Sequence, residues 1–425
     1  MIQQSSTNNF EITFFLPTHV GAKDIGGAQK LFISIAEYIA NNYPIHVNFI
    51  DFKNGSVFNH IKSDKVNLIE LNPREKIYLA DHHIIIAPYW RLKYLIEIIS
   101  FKKQHRIFLW NIGTDCHINN FALLGYYKKI PFNFRKKFIN IFEHSTKIKL
   151  ETLMNYLLAQ GAVAYMCGKN WSIVNEYLTI NHHTPFYLPV VIDTDHVRME
   201  ANCDKKFNDS KILNIGWLGR FGKMNTILAI INEISKIKMS IVFHIIGWGN
   251  NFEKSKISDY ANSKKVKFKL IEGLYDEKLN RYIIENIDLG IAMGLSLQNF
   301  SSLRIPTIAT QFFDDNQLKL IHKIKFKWFF QLENYDLATS IGVNVVQNDL
   351  HPLEYFTSNV CKNYMYYSNE CFQAFKTNFE FKNMLDKLIS HILSDNLKPL
   401  EFNAVRDSFQ DNIFHKLKII LRRSK

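Results

Sequence analysis

Short apolar runs alternate regularly with longer amphipathic stretches along this sequence, and that alternation restricts its fold more than any other feature. In the first half, apolar runs of strand length occur at residues 11–16, 45–50, 66–71, 83–87, 106–110 and 162–166. Helical periodicity lies between them, for example at residues 28–40 and 91–100. Strand–helix alternation of this kind predicts parallel sheets that are covered by helices on both faces.

The second half begins the same pattern again. Its predicted strands are residues 212–217, 240–246, 266–271, 288–292 and 307–309. Its predicted helices are residues 224–236, 276–286 and 352–358, the last with Pro352 at the first helical position, and further helical patterns follow at 372–392 and 407–421.

Residues 185–210 contain two prolines followed by a polar stretch, and they are the best candidate linker between the halves. We therefore predict two doubly wound α/β domains, at residues 1–190 and 191–395, and a helical tail at 396–425. Two such domains that face each other create a cleft at the carboxyl ends of their strands, where folds of this class bind ligands.

Length and composition agree with this division. At about 150 residues per domain, 425 residues correspond to two or three domains. The apolar fraction of 47% is enough for sizeable cores and excludes a disordered chain. The net charge of +13 favours an anionic partner, which could be a nucleic acid, an anionic membrane or a phosphorylated substrate.

Several classes of protein are disfavoured by what the sequence lacks. Its five cysteines are widely spaced and form no CxxC pair, so neither a disulfide framework nor a zinc site is indicated. The adjacent histidine pairs 82–83 and 182–183 are poor metal sites because neighbouring strand residues point to opposite faces. The N-terminus lacks a basic region and an A-x-A cleavage site, and no apolar stretch is long enough to span a membrane, so we expect a cytoplasmic protein.

Two glycine-containing turns each follow the first predicted strand of a half. Gly26 and Gly27 precede the first helix, where free N–H groups and the helix dipole favour an anion; an ordinary strand-to-helix turn with glycines for tightness is the alternative. In IGWLGRFGK (residues 215–223), Gly219 allows close backbone approach while Arg220 and Lys223 supply two cations suited to a nucleoside diphosphate. A solvated basic turn is the alternative. Neither turn has the spacing of a dinucleotide fingerprint or a P-loop.

Two further turns come later in the second half. Gly247 and Gly249 in IIGWG indicate a tight turn at the end of a strand. After the strand that ends at Gly294, we expect Ser296 to cap a short helix, with Asn299 on that helix near a ligand. A capped helix without a ligand is the simpler reading of this segment.

The segment from Tyr126 to Phe142 (YYKKIPFNFRKKFINIF) is both basic and aromatic. Five Lys or Arg residues interleave with apolar rings, and acidic residues are absent. This composition suits the surface of an anionic membrane. Single-stranded nucleic acid could use the same side chains, and a solvated helix with one buried side is a third reading. The last eleven residues, HKLKIILRRSK, are also basic and amphipathic.

Taken in order, these motifs resemble those of the GT-B glycosyltransferases of the "group 1" type. Gly26-Gly27-Ala28 is similar to that family's GGA turn, the stretch YLPVVIDTDH with Asp193 to its PNGVD linker, and Arg220 with Lys223 to its donor-phosphate pair. Gly247-x-Gly249 is similar to its vGdG turn, Glu272-Gly273 to its loop near the nucleobase, and residues 293–310 to its EAmacGiPvIat segment.

The resemblance implies two Rossmann-like domains that face each other, with the last helix crossing back to the first domain. It also implies a nucleoside diphosphate sugar as donor, no metal or other cofactor, and retention of anomeric configuration. Donor contacts would come from these residues: Gly26, Gly27, Gly219, Arg220, Lys223, Gly247, Gly249, Gly273, Gly294, Ser296 and Asn299. The family's two glutamates before Pro306 fall on Ile291 and Asn299 here, so both carboxylates are missing.

Charge on the leaving diphosphate calls for preorganised N–H donors and cations, which Gly26, Gly27, Arg220 and Lys223 would supply. Asp115 and His117 are candidate catalytic residues on the acceptor side, with His19 as a further candidate, and a surface role is the alternative for each. The leading hypothesis is a glycosyltransferase of polysaccharide or lipopolysaccharide assembly that uses a glycan or lipid-linked glycan acceptor at the inner membrane face. The alternatives are a catalytically degenerate sugar-nucleotide-binding relative or partner subunit, an epimerase, and a nucleic-acid-binding protein, for which no RRM, KH or zinc-finger pattern is present.

Overall fold

The computed structural model describes residues 10–18, 27–113, 132–181, 184–192, 212–310, 324–337 and 350–408. The chain divides into two compact units, one formed by Met1–Val190 together with Leu385–Lys425 and the other by Val191–Met384. Each unit contains a largely parallel sheet with helices between its strands, as the alternation in the sequence predicts. Within the described ranges, no helix has the length and apolar character that crossing a membrane requires.

The first unit has a seven-stranded parallel sheet with the strand order β3-β2-β1-β5-β7-β8-β9. Its strands are β1 (Glu11–Phe15), β2 (His46–Asp51), β3 (Val66–Glu70), β5 (His83–Pro88), β7 (Arg106–Asn111), β8 (Val163–Tyr165) and β9 (Phe186–Tyr187), and β4 (Ile77–Tyr78) pairs separately with β6 (Ile99–Ser100). Its helices are α1 (Gly27–Asn42), α2 (Leu92–Ile98), α3 (Phe132–Phe142), α4 (His144–Ala159) and α5 (Gly168–Tyr177).

Aromatic side chains fill much of the core of this unit. The Phe14 ring stacks on that of Phe49 with centroids 5.8 Å apart, and the Phe32 ring stacks on that of Trp110 at 5.9 Å. All four residues are fully buried. Because a parallel sheet is covered on both faces, its strands need continuous apolar runs, and these runs are what made them visible in the sequence.

The second unit has a six-stranded sheet with the order β12-β11-β10-β13-β14-β15, in which only the edge strand β15 is antiparallel. Its strands are β10 (Leu213–Leu218), β11 (Ile241–Ile246), β12 (Lys267–Ile271), β13 (Leu289–Ala292), β14 (Thr307–Thr310) and β15 (Phe326–Trp328). Its helices are α6 (Met224–Ile234), α7 (Asn251–Ser263), α8 (Asp276–Asn286), α9 (Leu295–Ser302) and α10 (Leu353–Phe379).

The helix predicted at residues 352–358 is the beginning of a much longer helix, α10, in which Asn363 departs from helical geometry. Pro352 is the N-cap residue of α10, not its first helical residue. The helix predicted at residues 372–392 is divided in the structure, because α10 ends at Phe379 and a separate helix, α11 (Phe381–Leu393), follows. The short helix α12 (Phe402–Asp407) was not predicted, and the predicted helix at 407–421 lies outside the described residues beyond residue 408.

The C-terminal segment completes the first unit. His391 Nε2 lies 2.8 Å from the carbonyl oxygen of Gly161, and its ring stacks on Phe186 with centroids 4.0 Å apart. Further along, the rings of Phe101 and Phe402 stack at 3.7 Å. The chain returns to the first unit at residue 385, inside α11, whereas the sequence predicted this boundary at residue 396. A continuous helix carries no linker composition, so the sequence gives no sign of a boundary there.

Candidate functional site

Loops that follow β10, β11 and β12 interlock at the carboxyl edge of the sheet in the second unit. The Gly219 N–H donates to the carbonyl of Ile246 at 3.0 Å, and the Gly247 N–H donates to the carbonyl of Ile271 at 3.0 Å. The Phe221 N–H donates to the carbonyl of Trp248 at 2.9 Å. The predicted motifs around Arg220 and Gly247 therefore share one surface, as expected when parallel strands end at the same edge.

Gly247 and Gly249 allow these loops to pack closely. A Cβ on Gly247 would lie 1.9 Å from the carbonyl oxygen of Gly219, and a Cβ on Gly249 would lie 2.5 Å from Cβ of Phe221. Neither distance is possible for a real side chain. The geometry thus gives both glycines a packing role in the turn, beside the ligand contact that the sequence predicted for them.

Gly273 and Gly294 have a different role. Their φ angles are +73° and +64°, and a Cβ on either one would meet no atom within 4 Å. Glycine is needed there for its left-handed backbone. Gly294 is the N-cap residue of α9, so the expected cap at Ser296 is wrong; Ser296 lies in the first helical turn instead. Ser296 and Asn299 are half-buried and, three residues apart, share one side of α9.

Arg220 and Lys223 place two cations on the loop after β10, next to the point where the strand order reverses between β10 and β13. Arg220 is exposed and Lys223 is half-buried. Burial, and secondarily the positive charge of Arg220, lowers the pKa of the Lys223 ammonium to about 8. A lowered lysine pKa means that the site disfavours a second positive charge, and an anion bound there would relieve that cost.

Ile291, which stands where the family has the first of its two glutamates, is part of the hydrophobic core. Ile291 lies within β13, is fully buried, and pairs with Trp217 on one side and Ile308 on the other. Because its side chain is fully buried, Ile291 is a core residue with no surface to offer a ligand.

In the first unit, Gly27 is the first residue of α1 and is exposed. Four other residues singled out in the sequence, Gly26, Asp115, His117 and His19, lie outside the described residues, as does Asp193 of the linker motif.

A buried carboxylate that no sequence motif predicted lies at the carboxyl end of β2. Asp51 is fully buried and accepts hydrogen bonds from the Thr18 N–H at 2.7 Å and from the Thr18 hydroxyl at 2.9 Å. The N–H groups of Phe52 and Val57 donate to it at 2.9 and 3.1 Å. The structure therefore uses Asp51 to fix the chain where it leaves β1, just before the segment that contains Gly26.

Arg91 lies beside this network, on the turn after β5. Its Nη2 donates to the carbonyl of Pro17 at 2.8 Å, and its charge attracts that of Asp51. An acidic residue directly after the mostly apolar segment VNFI was the available signal for Asp51, but the sequence does not show which donors it meets.

An exposed apolar stripe runs along α3. The side chains of Phe134 and Ile141 are 60% and 71% exposed, and those of Phe142 and of Ile148 on the next helix are about half exposed. Ile139 on another side of α3 is buried and attaches the helix to the unit. Lys137 is exposed beside the stripe, and Lys136 is exposed on the other side of the helix. We call this surface the α3 patch; it covers the C-terminal part of the basic aromatic segment, whose residues 126–131 lie outside the described ones.

No group of three or more His, Cys, Asp or Glu side chains within the described ranges is arranged to hold a metal ion. The ionic contacts near the candidate site are instead between protein groups. Lys254 Nζ, for example, lies 3.0 Å from Glu272 Oε2 and ties α7 to the loop after β12.

Substitution of Asp51→Asn is expected to destabilise the protein by about 2–4 kcal/mol, because an amide nitrogen would face N–H donors in a buried site. Thermal or urea unfolding measures the loss. Asp64→Asn is the matched control, since Asp64 is exposed on the same unit. Equal stability of the two variants would contradict the role given to Asp51.

Comparison with known proteins gives structural relatives only. No family model matches the sequence, and no curated protein matches it. Among solved structures, a glycosyltransferase from Rickettsia africae is similar over 91% of this chain and 98% of its own, with 12% identity and a TM-score of 0.53. Sucrose-phosphate synthase from Thermosynechococcus elongatus is similar over 89% of this chain and 97% of its own, with 11% identity and a TM-score of 0.51.

HepE from Anabaena in complex with UDP is similar over 90% of this chain and 99% of its own, with 8% identity and a TM-score of 0.51. At such low identity, these similarities are evidence of fold. They confirm the fold class that the motifs implied: the chain has the GT-B fold.

Proposed function

We propose that the protein is a glycosyltransferase that transfers a sugar from a nucleoside diphosphate sugar to an acceptor hydroxyl. The observation that carries this proposal is the pair of cations, Arg220 and Lys223, on the loop after the first strand of a doubly wound sheet in a GT-B fold. Structures of similar fold include a protein named as a glycosyltransferase and another that is in complex with UDP.

The chemistry requires stabilisation of the negative charge that develops on the leaving diphosphate. In this proposal Arg220 binds phosphate oxygens through its planar fork, and Lys223 acts as a point charge beside it. The N-terminus of α9, which has no side-chain cap, adds N–H groups and the positive end of its dipole. Protein cations and dipoles then perform the charge stabilisation without a divalent metal. We expect retention of anomeric configuration, as the sequence resemblance implies.

The missing carboxylates support one alternative, a catalytically degenerate relative that binds a sugar nucleotide without transferring it. Asn299 is half-buried on α9 and can both donate to and accept from a ribose hydroxyl, so donor binding does not depend on a glutamate there. Donor hydrolysis or transfer by the isolated protein would exclude this alternative.

A thermal-shift screen with UDP, GDP, ADP and CMP tests the donor class. We expect one nucleotide to raise the melting temperature, since a ligand that binds only the native state stabilises it. Arg220→Ala should lower the affinity for that nucleotide about 10- to 100-fold, which is the effect of losing one charged hydrogen-bonding partner. Arg281→Ala, an exposed arginine on α8, is the control. A protein that responds to no nucleotide would contradict the proposal.

The lowered pKa of Lys223 predicts a pH dependence of nucleotide binding. Below about pH 8 the ammonium is charged and attracts the diphosphate, and above that pH it loses its proton. Affinity should therefore fall by roughly tenfold between pH 7 and pH 9.5, and Lys223→Gln should bind weakly with little dependence on pH over that range. Calorimetric titration at several pH values measures the effect. An unchanged wild-type affinity across the range would show that Lys223 does not contact the anion.

For the acceptor, we propose a glycan or lipid-linked glycan presented at the inner face of the cytoplasmic membrane, in polysaccharide or lipopolysaccharide assembly. The α3 patch supports this location, because it combines exposed Phe and Ile side chains with exposed lysines of the same helix. The patch belongs to the first unit, whereas the candidate donor loops belong to the second. Apolar side chains would enter the headgroup region while lysines contact anionic lipids. The basic C-terminal residues 415–425 would add to that attraction.

Vesicle co-sedimentation tests the membrane contact. Wild-type protein should bind vesicles with an anionic phosphatidylglycerol fraction at low salt and dissociate as salt screens the lysines. The double variant Phe134→Ser with Ile141→Ser should bind several-fold less, while Tyr78→Ser, which removes another exposed ring of the first unit, should bind like wild type. Wild-type protein that ignores anionic vesicles, or equal binding by all three proteins, would contradict the role of the α3 patch.

A further inference from the structure

The turn after β11 presents a large aromatic side chain to solvent. Trp248 is 55% exposed, whereas Trp110, Trp217 and Trp328 are buried. Leaving more than half of so large an apolar side chain in water forgoes the burial that stabilises a fold. An exposed ring of this kind in a glycine turn calls for an explanation in terms of what it binds.

The backbone of this turn has little freedom to hide the ring. The carbonyl of Trp248 accepts the Phe221 N–H at 2.9 Å. On either side, Gly247 packs against the Gly219 carbonyl and Gly249 packs against Phe221, each so closely that no Cβ would fit. The backbone of this turn is therefore held against the loop that carries Arg220, and the exposed indole belongs to a turn next to that loop.

The strand order indicates what lies over this turn. In a doubly wound sheet of order 3-2-1-4-5-6, the diphosphate of a nucleotide binds at the turn after the first strand, and the nucleoside extends over the end of the second strand. Here β10 is the first strand and carries Arg220 and Lys223, while β11 is the second and ends at the turn of Trp248. The indole is thus placed on the nucleoside side of the diphosphate loop.

We propose that Trp248 stacks on the nucleobase of the donor nucleotide and so sets part of the donor affinity. The inference rests on the proposed function, since it needs a nucleoside diphosphate bound at Arg220 and Lys223. The face of an indole is a suitable platform for any planar base, because stacking needs a π surface and no particular hydrogen-bonding pattern. Trp248 therefore contributes affinity for the base, and choice among bases is left to neighbouring polar groups.

Calorimetric titration with UDP, GDP, ADP and inorganic pyrophosphate tests this assignment. Trp248→Ala should lower the affinity for the best-bound nucleotide roughly 10- to 100-fold, which is the effect of losing one stacked ring. The affinity for pyrophosphate should stay unchanged, because pyrophosphate has no base. Trp248→Phe should recover most of the nucleotide affinity. Tyr355→Ala, which removes an exposed ring from α10 in the same unit, is the control and should match wild type.

Tryptophan fluorescence gives an independent readout on the folded protein. Iodide should quench the exposed indole of wild-type protein, saturating nucleotide should protect it, and Trp248→Phe should show no such protection. Wild-type affinity in Trp248→Ala would overturn the stacking, as would an equal loss of nucleotide and pyrophosphate, since the ring would then act only through the loop. If wild-type protein binds pyrophosphate but no nucleotide, or neither, the proposed function itself fails and this inference fails with it.

Discussion

The parallel pairing of strands buried on both faces is the constraint on which the rest of this structure depends. Parallel strands must all end at one edge of their sheet, and each end must be followed by a turn that leads into a covering helix. In the second unit this brings residues far apart in sequence, such as Arg220, Trp248 and Gly294, to neighbouring turns of one edge. The chemistry available to the protein follows from what those turns contain.

Glycines at that edge solve two different physical problems. Gly247 and Gly249 have no side chain, so their loop can pack directly against the loop that carries the cations and hold it in position. Gly273 and Gly294 supply backbone angles that other residues adopt only with strain. In a sequence these glycines look alike. The same turns therefore combine a rigid base with an open surface on which side chains such as Arg220 and Trp248 are displayed.

The aromatic side chains and the positive charge, both unusually frequent in the composition, each serve more than one purpose in the structure. Many of the 34 phenylalanines fill the two cores, among them Phe14, Phe15, Phe32, Phe49, Phe108 and Phe221. The aromatic surplus is thus partly structural, and the exposed aromatic side chains include those of the α3 patch and of the turn at Trp248. The positive charge likewise includes two cations at the candidate donor loop. There, burial of the Lys223 ammonium and repulsion by Arg220 lower the pKa of Lys223.

The fold class, the positions of most strands along the chain and the turns that carry Arg220, Lys223 and Gly294 could be predicted from the amino-acid sequence, because buried strands and glycine turns leave local patterns. The donors around Asp51, the packing roles of Gly247 and Gly249, the core position of Ile291 and the return of the chain to the first unit at residue 385 became visible in the three-dimensional structure alone. Each of these depends on contacts between residues distant in sequence. Asp51, for instance, meets Thr18 only because β1 and β2 pair side by side, and a side chain's partners are set by that pairing and not by its own neighbours in the chain.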